Sequence, residues 1–225
     1  MNKLEKSILC GFLIAVIVSM ASGFTTFAGQ CSDIRQNVLR LHILANSDSS
    51  ADQALKIKVR DKILAKSGEL FQKSDSKADA IQKADARLEE IRKTAQNEVV
   101  AEGYDYKVQA KIVHMYFTTR TYGNITLPAG NYDAVRITIG KAQGHNWWCV
   151  LFPPLCLPSA EGTEKLSDVL NSDEVGIVTG SGDKTIVIKF KVLEWYEDAK
   201  NFISDGCSKA KDALAGTADW VSGVR

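Results

Sequence analysis

Residues Gly144 to Cys156 read GHNWWCVLFPPLC, and this stretch limits the fold more than any other. Side chains alternate faces along an extended strand, so Trp147, Cys149 and Leu151 point one way and Trp148, Val150 and Phe152 the other. Both faces are apolar. The segment is therefore either a strand covered on both sides or a strand with one aromatic row offered to a partner. Pro153 and Pro154 end the ladder, because neither has an amide hydrogen to donate and each restricts the residue before it.

The rest of the chain supplies layers to pack around that strand. Asn37 to Ala45 (NVLRLHILA) reads as a first strand, with Val38, Arg40, His42 and Leu44 on one face. The polar run Asn46 to Gln53 offers helix starts, with Ser50 and Gln53 at capping-box spacing. A helix over Ala51 to about Ser67 follows, its buried stripe carried by Leu55, Val59 and Ile63. A second, from about Ser76 to Ala101, repeats apolar residues at three and four positions, and Gly103 closes it. The pattern then changes to strands over Tyr106 to Thr121 and Tyr132 to Ile139, separated by turn residues, with the Trp-Trp strand third in an antiparallel series.

This order, β-α-α-β-β-β, predicts an α+β fold: a two-layer domain with two helices packed on a largely antiparallel sheet. Residues 33–158 form the main domain and 159–184 a variable connection. Residues 185–225 read as a C-terminal appendage, a strand over Thr185 to Val192 followed by a helix from Leu193.

Lys3 and Lys6 precede an apolar run from Ile8 to Met20. Thirteen residues suit a signal-peptide core better than a spanning helix, which needs roughly 20. Residues 1–28 are read as a signal peptide or membrane anchor, with cleavage sites offered after Ala21, Gly23 or Ala28. Without Lys3, Glu5 and Lys6 the chain carries 26 basic and 26 acidic residues. That balance gives no positive surplus for nucleic acid. Cys31, Cys149, Cys156 and Cys207 remain, and four cysteines allow three complete pairings. Cys149 with Cys156 is the favoured disulfide, provided the prolines turn the chain back: the α-carbons must approach within ~7 Å, while seven extended residues span more than roughly 20 Å.

Sites for chemistry are sparse. Cys149 lies four residues after His145, but a strand between them carries the two side chains apart, and no GxSxG elbow is present. His42, His114 and His145 fall in separate segments without HExxH or paired CxxC spacing, so no metal site is expected. Asn46, Asp48 and Asp52 resemble the opening of a calcium loop, yet its glycine and distant glutamate are missing, and helix capping accounts for these oxygens. No cofactor loop is present, and no small-molecule substrate is expected.

Three separated segments carry a resemblance: RLHILANSDSSADQALKIKVRDKIL at Arg40 to Leu64, PAGNYDAVRITIG at Pro128 to Gly140, and GHNWWCVLFPPLC. Together with KFKVLEWYED at Lys189 to Asp198, they resemble the stage II sporulation protein R family. The resemblance implies a protein exported from the forespore into the space between the two membranes of a sporulating cell. There it would trigger a membrane-embedded aspartic protease, stage II sporulation protein GA, to cleave the precursor of the mother-cell sigma factor E. No catalytic set comes with the family. The residues expected to meet the partner are Trp147 or Trp148 and Phe152 as apolar anchors, because tryptophan is enriched at interface hot spots. Asn46, Asp48 and Asp52 would form a polar rim if their loop lies beside the strand. Competing readings are an exported cell-wall or thiol-active enzyme using Cys149, and a wall-binding structural module.

Overall fold

A computed structural model describes residues 3–155, 166–180 and 185–203 of the 225-residue chain. Its elements are α1 (Lys3–Gln36), β1 (Leu39–Leu44), α2 (Ser50–Gln72), α3 (Lys77–Ala86), α4 (Leu88–Ala101) and β2 (Val108–Phe117). The hairpin β3 (Arg120–Tyr122) and β4 (Ile125–Leu127), then β5 (Gly130–Ile139), β6 (Asn146–Phe152) and α5 (Ser172–Thr179) follow. A further helix, α6, covers 185–203.

The main sheet has the order β2-β5-β1-β6 and is largely antiparallel. The expected meander is broken at one point. β1 inserts between β5 and β6, parallel to β5 and antiparallel to β6, so the Trp-Trp strand pairs with the first strand and lies at the sheet edge. β1, the only strand flanked on both sides by described strands of similar or greater length, is buried at every position. Leu39, Leu41 and Ile43 point into the core beneath α2, α3 and α4, where Leu55, Val59 and Ile63 provide the predicted stripe.

The predicted second helix is two helices. The break falls at Arg87, and each piece follows a different strand, α3 over β1 and α4 over β2. ADARLEE contains no glycine or proline to announce it. The cap of α2 also shifts by one residue, since Ser49 Oγ rather than Ser50 accepts the Asp52 amide, at 3.1 Å.

The opposite sheet face is covered at one end only. Phe27, Cys31 and Ile34 of α1 enter a second core with Phe117, Tyr132, Val150 and the β3–β4 hairpin. α5 belongs to the same core and begins with a capping box between Asn171 and Glu174, inside the stretch read as a variable connection. The apolar first part of α1 is compatible with a signal peptide or an anchor: it is long and apolar enough to cross a membrane and is unburied. Cleavage after Ala28 would cut this helix beside Phe27, which packs on Phe190 with ring centres 5.6 Å apart.

Thr185 to Val192 is helical, which corrects the expected C-terminal strand. TIVIKFKV alternates like a strand, but Ile186, Phe190 and Leu193 also recur at helical spacing, and that stripe packs in the second core. Tertiary burial overrides the β propensity of the β-branched residues. The segment read as an appendage thus supplies core residues.

Candidate partner-binding site

Register places one residue from each strand in a row across the sheet. His42 of β1 lies opposite Arg136 of β5 and Trp148 of β6, and Arg136 lies opposite Lys111 of β2. All four side chains share the face that α1, α5 and α6 cover only at its far end. The next row outward, Gln109, Thr138, Leu44 and Asn146, is formed in the same way. Gln109, Lys111 and Asn146 are exposed, while Arg136, Thr138 and Trp148 are half-buried. The sheet therefore ends in an open surface of mixed aromatic and basic character.

Trp148 is fixed within this surface. Its ring stacks on His42 at 4.5 Å with an interplanar angle of 16°, and meets Phe117 edge-on at 4.5 Å. The Arg120 guanidinium stands 5.7 Å from the Trp148 ring centre. Arg120, Arg136 and Lys111 have no ion pair among the described residues, and Arg136 Nε is buried without a hydrogen-bond partner there. Such cations favour a partner that brings carboxylates.

Arg40 lies behind the row and is wholly buried. Its guanidinium carbon stands 4.4 Å from the Phe117 ring centre, 5.0 Å from Tyr132 and 5.7 Å from Tyr122, and it donates a hydrogen bond to the Tyr122 hydroxyl. Nε and Nη1 have no partner among the described residues. Aromatic faces rather than a carboxylate hold this charge.

The expected anchors separate. Trp147 points to the helix side, where Arg60 of α2 covers its ring at 4.3 Å. Phe152 was expected beside Trp148, but the β1–β6 register shifts between Leu39 and Arg40. The irregularity carries Phe152 into the helix-side core, where it is 3% exposed. It offers no surface to a partner. Cys149 is buried and disulfide-bonded, which leaves no thiolate there; its expected partner Cys156 lies outside the described residues.

The loop after β1 does lie beside the Trp-Trp strand. Asn46 Oδ1 accepts the Lys141 amide at 3.0 Å, and Asp48 accepts both the His145 amide and a hydrogen bond from its ring. That bond from His145 holds the Asp48 carboxyl below its ordinary range. Asp52 is buried. Burial pushes its carboxyl upward, but hydrogen bonds from Ser47, Asn46, Tyr106 and Ser49 outweigh that and hold it low. Lys56 donates to the His145 carbonyl at 2.9 Å. Asn46 and Asp52 thus tie loops together, and Asp48 with His145 is the exposed part. Among the described residues no group of three His, Cys, Asp or Glu side chains is placed to share a metal.

Gly144 lets these loops meet, since a β-carbon there would run into the Ser47 carbonyl. Gly144→Ala is expected to cost ~1–3 kcal/mol in urea unfolding. A variant as stable as wild type would show that the contact carries no strain.

His42 makes the open row sensitive to acid. The ring is 2% exposed and bonds Asn146 Oδ1 through Nε2 at 2.8 Å, leaving Nδ1 buried without a partner among the described residues. Burial holds its pKa below the ordinary value; the Asn146 bond opposes this, and Arg136 and Arg40 add to it. The unfolded chain therefore takes up the proton first as pH falls. Stability from this site is full above about pH 6.5 and declines as acid drops below it. The urea midpoint should fall between pH 7.5 and about 5.5, and His42→Phe should remove that component. Equal slopes in both proteins would refute the assignment.

The stage II sporulation protein R family model matches residues 35–162. These residues hold all six described strands, and the three resemblance segments supply β1, β5 and β6, adjacent strands of the open row. The chain belongs to the stage II sporulation protein R family. Stage II sporulation protein R of Bacillus subtilis (strain 168) is 34% identical over 184 residues, covering 73% of this chain and 82% of the relative. No solved structure matches. Membership in the stage II sporulation protein R family makes this a sporulation signalling protein.

Arg136, Lys111 and Arg120 were not singled out from sequence. The available signal was alternation: Arg40 and His42, like Arg136 and Thr138, put polar groups at every second position of otherwise apolar strands. Only the pairing of β1 with β5 joins them.

Proposed function

We propose that this chain is an exported sporulation signal that docks on the extracytoplasmic part of a membrane-embedded aspartic protease, stage II sporulation protein GA. Binding biases the protease toward its active arrangement, and the precursor of the mother-cell sigma factor E is then cleaved. The forespore is the source and the space between the two membranes the site of action. A binding protein shifts such an equilibrium only by its preference for one state, so the contact must be specific.

The observation that carries the docking assignment is Trp148, half-buried and in register with Arg136 and Lys111, cations without an ion pair among the described residues. Trp148 and Arg136 are the anchors, Arg120 and Lys111 flank them, and Asp48 with His145 borders the row beyond Asn146. A partner surface bearing carboxylates and one apolar pocket fits this arrangement. Trp147 and Phe152 support the strand from within.

Co-expression of the exported chain with the protease and its precursor substrate tests the reading. Cleavage should depend on the chain, survive Cys149→Ser in protein that folds, and fall sharply with Trp148→Ala. Absence of cleavage with all components present would sink the activator reading, and retention on peptidoglycan without the protease would favour a wall-binding module.

A further inference from the structure

α6 has two apolar faces. Ile186, Phe190 and Leu193 turn into the second core. On the opposite side Ile188, Val192, Trp195 and Phe202 form a second helical stripe in solvent, with Trp195 71% and Phe202 81% exposed. One face of this helix is already buried, so a second row of large exposed apolar side chains marks a surface that lacks its cover.

The contacts with α1 indicate what supplies it. Phe27 meets Phe190, and Arg35 pairs with Glu197 at 3.3 Å, both on the core side of α6. Nearer the apolar half of α1, Phe24 meets Tyr196 instead, with ring centres 5.8 Å apart. Tyr196 lies about 100° around the helix from Glu197, at the border of the outer stripe. Passing along α1 toward its unburied apolar half, the contact thus rotates toward the stripe. The apolar half of α1 is unburied, and the outer stripe of α6 is exposed next to the Phe24–Tyr196 contact.

We propose that α6 is an interfacial helix whose outer stripe rests in the headgroup–acyl boundary of the bilayer that receives the apolar half of α1. Trp195 and Tyr196 have the amphipathic rings that settle at that depth. Lys191 borders the stripe by helical spacing, and its exposed ammonium, 3.0 Å from Glu194, can reach anionic headgroups while its stem stays in apolar surroundings. The assignment does not depend on the protease partner, because it uses none of the residues assigned to the open row.

The test uses the full chain in phosphatidylcholine–phosphatidylglycerol vesicles carrying brominated acyl chains. Tryptophan fluorescence should be quenched, and Trp195→Phe should lose most of the quenchable signal. Ile188→Ser with Phe202→Ser should reduce quenching of Trp195 without changing the urea midpoint, since both side chains are exposed. Quenching unchanged by Trp195→Phe would overturn the proposal. So would a detergent-solubilised dimer that the double variant converts to monomer while lipid quenching persists, which would assign the stripe to a second copy of the chain.

Discussion

A glutamate in place of Arg136 is expected to reduce chain-dependent precursor cleavage at least ~100-fold while the protein remains folded. Arg136 stands between Lys111 and His42 in the open row with no acidic partner among the described residues. Within the isolated protein a carboxylate there would face Lys111, so the substitution relieves like-charge crowding. Against a partner carboxylate the same change is repulsive, and juxtaposed like charges at an interface cost several kcal/mol. Arg136→Lys keeps the charge but loses the planar fork, and an intermediate loss is expected. Matched urea midpoints for wild type and Arg136→Glu, combined with lost cleavage, separate docking from folding. Undiminished cleavage by Arg136→Glu would remove this residue from the interface.

The second large effect concerns stability. Arg40→Ala should cost ~3–5 kcal/mol, because it empties a buried site walled by Phe117, Tyr132 and Tyr122. Arg40→Met should lie within ~1.5 kcal/mol of wild type or above it, since an apolar chain of similar length fills the space without a desolvated charge. The pair of variants discriminates between volume and charge. If Met is as damaging as Ala, the aromatic-held charge itself stabilises the fold. Urea unfolding at pH 7.5 reads both, with His42 then neutral in either state.

The elements that were legible from sequence have strong periodic patterns. Leu55, Val59 and Ile63 announced α2 and its buried face, and RLHIL and NWWCVLF announced β1 and β6 as strands. What sequence withheld was pairing. Nothing local tells β6 to choose β1 over β5, and with that choice hidden, His42, Arg136 and Lys111 could not be assembled into one row. The same gap misplaced Phe152: strict alternation set it beside Trp148, and a register shift moved it to the other face. TIVIKFKV illustrates the opposite failure. Its alternation was genuine, but its helical stripe of Ile186, Phe190 and Leu193 had a core to enter. The break at Arg87 follows the sheet beneath the helices, and local composition carries no trace of it.

Photo-crosslinking tests the central claim most directly. Gln109 lies in the outermost row of the open face, and Val100 is exposed on α4 on the helix side. With a crosslinking amino acid at each position in turn, co-expressed with the protease, capture from position 109 and none from position 100 is the expected result. Capture from position 100 alone, with cleavage intact in both proteins, would contradict docking through the open sheet face.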